Sequence, residues 1–311
     1  MDFSSFVASG APALAEGAVV ERVRRDPAVV LDPHILNGGL IYDPAGRALL
    51  ARIHGDYARL ARQAGLPILM FTDTWRCSRG LVEASRFRGR SVNEDNVRFL
   101  LDLRASLGEG APVFVGGLTG PSGDAYKPAD SLTRVVARDF HRPQIAALAS
   151  GGVDFLFLAT APAVEEALGV ADVMAETGLP YVISFVIRRT GNVLDGTPLG
   201  EAMARIDAET ARPPAGFSVN CVHARVLEAV LGLHPEAARR LLSFQGNTGD
   251  LEVEDLDNSD ILVTEPPAAF VEGVERLRRR FGLRVLGGCC GTEDGHIEAL
   301  ARRMVCETAV R

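Results

Sequence analysis

PPAAFVEGVERLRRRFGLRVLGG, residues 266–288, holds in one stretch the unit from which the chain is built. A segment of helical period runs to Phe281-Gly282, where the glycine supplies a helix stop. The apolar run LRVLGG follows at once. The same alternation recurs along the chain. Apolar, β-branched runs are AVVL (28–31), PILMFT (67–72), PVFVGG (112–117), VDFLFL (153–158), YVISFVI (181–187), GFSVN (216–220), LLSFQ (241–245) and LRVLGG (283–288). Helical patterns such as LARIHGDYARLARQAG separate them. Most of the runs are nearly continuous in apolar residues, as strands buried on both faces are.

Eight strands alternating with helices in 311 residues predict an α/β fold of the closed (β/α)8 TIM-barrel type, a single domain over residues 1–311. An open doubly wound sheet would carry a glycine-rich dinucleotide turn after its first strand, and LDPHILNGG lacks the G-x-G-x-x-G pattern. A core of this size needs no disulfide staples.

With 40 acidic and 33 basic residues the net charge is −7. The densest basic cluster, Arg278-Arg279-Arg280, falls where a helix ends, and the helix dipole accounts for it. No basic stripe with interleaved aromatics is present, so the expected partners are small molecules and not nucleic acid. The N-terminus has no basic region followed by a long apolar core, and no stretch reaches bilayer-spanning length, so no membrane partner is expected. Five cysteines without regular spacing suit a reducing compartment, and the expected location is cytoplasmic.

The placement of those cysteines carries the function. Barrel enzymes work at the C-terminal ends of their strands. Cys221 follows GFSVN at the end of the sixth strand, and Cys289 and Cys290 follow LRVLGG at the end of the eighth. The adjacent pair reads three ways: buried filler, a strained disulfide, or half of a metal site. Alternate strands feed one layer of a barrel, so the three sulfurs can converge, and Gly287, Gly288 and Gly291 allow the backbone to bend around them. Convergence at strand ends favours Zn2+ held by Cys221, Cys289 and Cys290. Cys77 and Cys306 are read as small buried hydrophobes. Three thiolates blunt the Lewis acidity of zinc toward water. A fourth position open to a substrate thiol would lower that thiol's pKa from about 8.5 and keep it nucleophilic. The expected chemistry is alkyl transfer to sulfur.

VNC at 219–221 and GGCCGTEDGHI at 287–297 closely resemble the two zinc-ligand motifs of the homocysteine S-methyltransferase family. HGDYARLARQAGLPILMFTDTW (54–75), GLTGPSGDAY (117–126) and LLSFQGNTG (241–249) extend the likeness over nearly the whole chain. The resemblance implies a zinc-dependent barrel that methylates homocysteine or a related thiol from a sulfonium or quaternary ammonium donor. It assigns the metal to Cys221, Cys289 and Cys290. The family's strand-four glutamate, which takes the amino group of homocysteine, aligns with Ala159, and Glu165 and Glu166 do not replace it. Losing a charge-assisted partner weakens recognition of an ammonium group. In the first β–α segment Asp32 is matched to the family aspartate, with Pro33 and His34 in place of its glycines. The T-N-T triplet becomes Thr72-Asp73-Thr74, with Asp73 a second candidate for the amino group.

Further substrate contacts are expected from Trp75, whose ring suits a cationic donor, with Tyr126 as a weaker equivalent. Asn220 and Asn247 are expected to hydrogen-bond substrate or to orient the ligands. His223 is read as a helix-cap neighbour, the alternative being a closed Cys3His site. Two rivals are a zinc-dependent hydrolase or lyase with Asp73 or His34 as base, and a non-catalytic zinc or redox sensor.

Overall fold

The computed structural model describes residues 1–252, 255 and 263–308. Eight parallel strands close into a barrel in sequence order: β1 Ala13–Ala15, β2 Ile68–Phe71, β3 Val113–Thr119, β4 Phe155–Ala161, β5 Tyr181–Phe185, β6 Gly216–His223, β7 Leu241–Asn247 and β8 Val285–Gly288. β1 closes the ring against β8 through the pairs Ala13–Val285 and Leu14–Leu286. Helices cover the outside, and the predicted (β/α)8 barrel is the fold observed. The helix Pro267–Phe281 starts on a proline and stops at Gly282, whose φ of 76° only glycine adopts freely. No helix among the described residues is long and apolar enough to cross a membrane.

Seven of the expected strands coincide with observed ones. The first does not. Residues 28–31 form a turn and extended chain, and Val30 is 74% exposed. The true β1 is the three-residue Ala-Leu-Ala segment 13–15, fully buried between β2 and β8. The strand is short and lacks β-branched residues, so neither length nor propensity marks it. Its neighbours supply the pairing that its own sequence does not advertise.

Apolar residues divide into a layer between strands and helices and a separate cluster inside the barrel. The interior is aromatic: Phe71, Phe114, Phe155 and Phe157 fill it, and the N-terminal helix Phe3–Ser9 plugs the lower mouth with Phe3 and Phe6. Phe3 stacks on Phe155 with ring centroids 4.1 Å apart. Truncating Phe155 to alanine would cost about 3–5 kcal/mol. With the bottom packed, the only ends of the strands left to build a site are the C-terminal ones.

Candidate active site

A cavity of about 390 Å3 opens at the C-terminal ends of the strands. Its wall carries Cys221, Cys289 and Cys290, and the three sulfurs lie within 4.8 Å of one another. All three are free thiols, and Cys221 and Cys289 are 2.9 Å apart, well beyond a disulfide bond. Tetrahedral zinc with bonds of about 2.3 Å places its sulfurs about 3.8 Å apart. The triangle, with one edge of 2.9 Å and none above 4.8 Å, brackets that spacing, and soft thiol donors on three corners suit that metal. Hydrogen bonding with Cys289, then Cys290, holds the Cys221 thiol well below its ordinary range against the effect of burial. Cys290 is pushed up to about 12, chiefly by its bond to Cys221.

Two asparagines set this triangle. Asn220 accepts from the Thr160 N–H at 3.0 Å and the Ser184 hydroxyl at 2.6 Å. It donates to the Thr160 hydroxyl at 2.8 Å and the Cys221 sulfur at 3.3 Å. Thr160 and Cys221 both sit in the left-handed region, at φ 58° and 57°. Such backbone costs about 1–3 kcal/mol per residue and persists only where surroundings enforce it. Asn247 donates to the Cys221 carbonyl at 2.9 Å and accepts from the Cys290 N–H at 3.1 Å, tying the two cysteine loops together. The side-chain oxygens and nitrogens of both asparagines are therefore committed to positioning the thiols, although both residues also line the cavity.

The glycines expected to bend the backbone divide their work. Gly291 has φ 81°, and a β-carbon there would meet the Thr248 hydroxyl. Gly287 and Gly288 lie in β8, where Gly287 lets the Ala15 and Glu16 carbonyls approach to under 3 Å of where a β-carbon would stand.

Opposite the sulfurs, the ends of β1 and β2 bring Glu16 and Asp73 to the same cavity. Between them lies His54, fully buried on the helix Pro44–Gln63. Its Nδ1 bonds the Glu16 carboxylate and its Nε2 the Asp73 carboxylate at 3.0 Å. Burial disfavours charge on His54, but Glu16 and then Asp73 outweigh it and push the imidazole up to about 10. Burial pushes the Glu16 carboxyl up, with His54 the main opposing influence. Asn37 donates to the second Asp73 oxygen, and the Phe71 N–H donates to the second Glu16 oxygen at 2.9 Å.

Of the expected substrate contacts, Thr72, Asp73, Trp75, Asn220 and Asn247 line the cavity, as does Tyr126. The Thr72 hydroxyl is engaged by Thr74 and by the Leu118 N–H. Trp75 has a buried indole N–H without a hydrogen-bond partner among the described residues. Tyr126 faces the sulfurs, and burial, then the neighbouring Cys221, pushes its hydroxyl well above its ordinary range. Asp32 is not brought to the cavity: its carboxylate receives the His34 and Ile35 N–H groups and stabilises a local turn. The error follows from the misplaced first strand, and the carboxylate at the end of the real β1 is Glu16, in the sequence Glu16-Gly17-Ala18.

His223 caps the helix Ala224–Leu233 and pairs with Glu265 at 3.2 Å, away from the sulfurs. His34 is exposed. Glu165 is exposed and pairs with Arg205. Glu166 is buried and receives the Ser122 and Leu132 N–H groups, pinning the loop that carries Tyr126. Cys77 is buried as expected, whereas Cys306 is exposed on the last helix and packs into no core. Sequence reasoning missed Glu16, Asn37 and His54. The one available signal was His54 falling in the buried stripe of Leu50, Ile53, Tyr57, Ala58 and Ala61.

A closed α/β barrel with three thiols grouped over a ligand-sized cavity at the C-terminal ends of its strands defines the class: a barrel with a cysteine cluster able to hold a metal. The chain belongs to the homocysteine S-methyltransferase family, whose model, described as Homocysteine S-methyltransferase, matches residues 14–304. Homocysteine S-methyltransferase 2 of Arabidopsis thaliana is 29% identical over 182 residues, 57% of this chain and 53% of that protein. Selenocysteine Se-methyltransferase of Brassica oleracea var. italica is 29% identical over 181 residues, 57% of this chain and 51% of that protein. The matched part of the chain thus spans about half the length of these relatives. In fold the chain is similar to the metallated homocysteine methyltransferase MmuM from Escherichia coli, with TM-score 0.73 over 96% of this chain and 98% of that one at 22% identity.

Proposed function

We propose that the protein is a zinc-dependent S-methyltransferase that moves a methyl group from a sulfonium or quaternary ammonium donor to a small-molecule thiol, with homocysteine the default acceptor. The observation that carries this reading is the grouping of Cys221, Cys289 and Cys290 within 4.8 Å over the cavity, in a chain of this family. Those three residues would hold the metal. When bound, zinc lowers the pKa of a thiol that joins it while three thiolate partners leave that sulfur electron-rich. The sulfur–carbon bond to the acceptor forms as the donor's bond to the same carbon breaks, and the donor departs as a neutral thioether or tertiary amine. The chain's own contribution is alignment. Asn220 and Asn247 hold the thiols, and the apolar wall of Phe71, Leu118, Phe157 and Ala159, with Trp75, excludes water from the path. That wall also suits a methylated cation, which attracts aromatic faces but offers no N–H.

Metal analysis of the purified protein, combined with a transfer assay using S-methylmethionine, S-adenosylmethionine and betaine against homocysteine, tests the reading. One zinc per chain with transfer to a thiol is the expected result. In the cobalt-substituted protein, absorption bands that ignore added thiol would overturn it.

A further inference from the structure

The segment that follows β1 reaches over the mouth of the cavity. Its short helix, Val20–Arg24, is docked on the loop that carries Cys289 and Cys290. The Arg22 guanidinium makes two hydrogen bonds, of 2.7 and 3.0 Å, to Asp294 at the start of the last helix. The Glu21 carboxylate accepts from the Gly291 N–H, next to Cys290, and pairs with Arg25 at 2.8 Å. Val23 is buried. With those residues fixed, helical spacing turns Val20 and Arg24 to the cavity together.

Arg24 differs from its neighbours. The charged side chains that line the cavity among the described residues are Glu16, Glu21, Arg24, Arg25 and Asp73. Glu21 and Arg25 pair with each other, and Glu16 and Asp73 share His54. Arg24 is exposed and makes no hydrogen bond or ion pair with any described residue. Its charge reaches the thiol end: Cys290, pushed up chiefly by its bond to Cys221, is drawn back in part by Arg24.

A guanidinium presents its N–H donors in a planar fork that fits an oxyanion through two parallel bonds. One free guanidinium balances one negative charge, which favours a carboxylate over a dianionic phosphate. The wall deeper in the cavity, made of Phe71, Leu118, Phe157 and Ala159, offers such a group no partner. The rim is where a carboxylate gains one.

We propose that Arg24 is the specificity-determining residue for a carboxylate of the substrate, held at the cavity mouth beside the thiols. The inference rests on the thiol-methyltransferase reading for the identity of that substrate. The carboxylate belongs either to the acceptor thiol or to the methyl donor.

Calorimetric titration of the zinc-loaded protein tests the proposal with two pairs of ligands that differ only in a carboxylate. L-Homocysteine is compared with 3-aminopropane-1-thiol, and S-methylmethionine with (3-aminopropyl)dimethylsulfonium. The native protein is expected to bind the carboxylate-bearing member of one pair on the order of 10-fold more tightly. That is the low end for a charge-assisted hydrogen bond, because the guanidinium stays in contact with water. The pair that shows the preference identifies the source of the carboxylate. Arg24→Gln, at an exposed position whose replacement leaves the barrel intact, is expected to abolish the preference by weakening that member alone. Arg24→Lys, which keeps the charge without the fork, is expected to retain part of it. No preference in either pair, or equal weakening of both members by Arg24→Gln, would overturn the assignment and leave Arg24 as a counter-charge to the thiols. Transfer from S-methylmethionine to homocysteine, measured on the same samples, separates the two readings. Selective binding without transfer removes the methyltransferase reading and leaves the carboxylate site standing, and transfer without selectivity does the reverse.

Discussion

At one end of the cavity, the thiols of β6 and β8 are grouped by asparagines that cost the backbone two left-handed residues, Thr160 and Cys221. At the other, the carboxylates of β1 and β2 are held by a histidine from outside the barrel, with no strained backbone at Glu16 or Asp73. Both ends place like groups side by side, which repel or compete when ionised. On the proposed reading the thiol end would resolve this by taking up a metal cation. The carboxylate end has already supplied most of its own, as the buried imidazolium of His54. The first is a site built to be completed, and the second a site nearly complete before a ligand arrives.

Experiments can break that comparison, starting with the largest effect. Replacing Cys221 or Cys290 with alanine should lower metal content and transfer activity by more than about 100-fold, beyond the cost typical of outer partners. Atomic absorption and a transfer assay would check it, and unchanged thermal unfolding of the metal-free form would show that the barrel is intact. His54→Leu should destabilise the fold by about 3–5 kcal/mol in urea titration, because it strands two buried carboxylates without their shared partner. A loss under about 1 kcal/mol would mean that the carboxylate end is not self-compensated.

Asn220→Ala falls between the two ends in kind. It should weaken metal affinity by about 10- to 100-fold, as read by chelator competition. The pH dependence has a definite sign. His54 has a folded pKa of about 10 against 6.5 unfolded, so its contribution is fully present below about pH 6.5 and is lost as pH rises through 10. Unfolding free energies measured from pH 7 to 10 should decline in the native protein and flatten in His54→Gln. Cys306→Ser, at an exposed position on the last helix, should shift stability by less than about 0.5 kcal/mol.

The two ends also differ in how well sequence reading reached them. Cys221, Cys289 and Cys290 were legible because rare residues next to strand-end glycines announce both position and chemistry. Seven strands were legible for a related reason: long apolar runs can be little else. Glu16 was hidden behind a three-residue strand of Ala-Leu-Ala, while the β-branched AVVL nearby drew the assignment to a surface turn and carried Asp32 with it. His54 was hidden because a histidine within a helical apolar stripe resembles core packing until its two partners are seen.

The sequence alone therefore determined the barrel, the thiol triad and the family, since each rests on local pattern or on chemically distinctive residues close to strand ends. Only the tertiary structure decided which strand opens the barrel and what Asn220 and Asn247 do. It also decided that Glu16, His54 and Asp73 meet. Those facts depend on pairing between segments far apart in the chain, and a contact made by closure of the ring leaves no periodicity behind it.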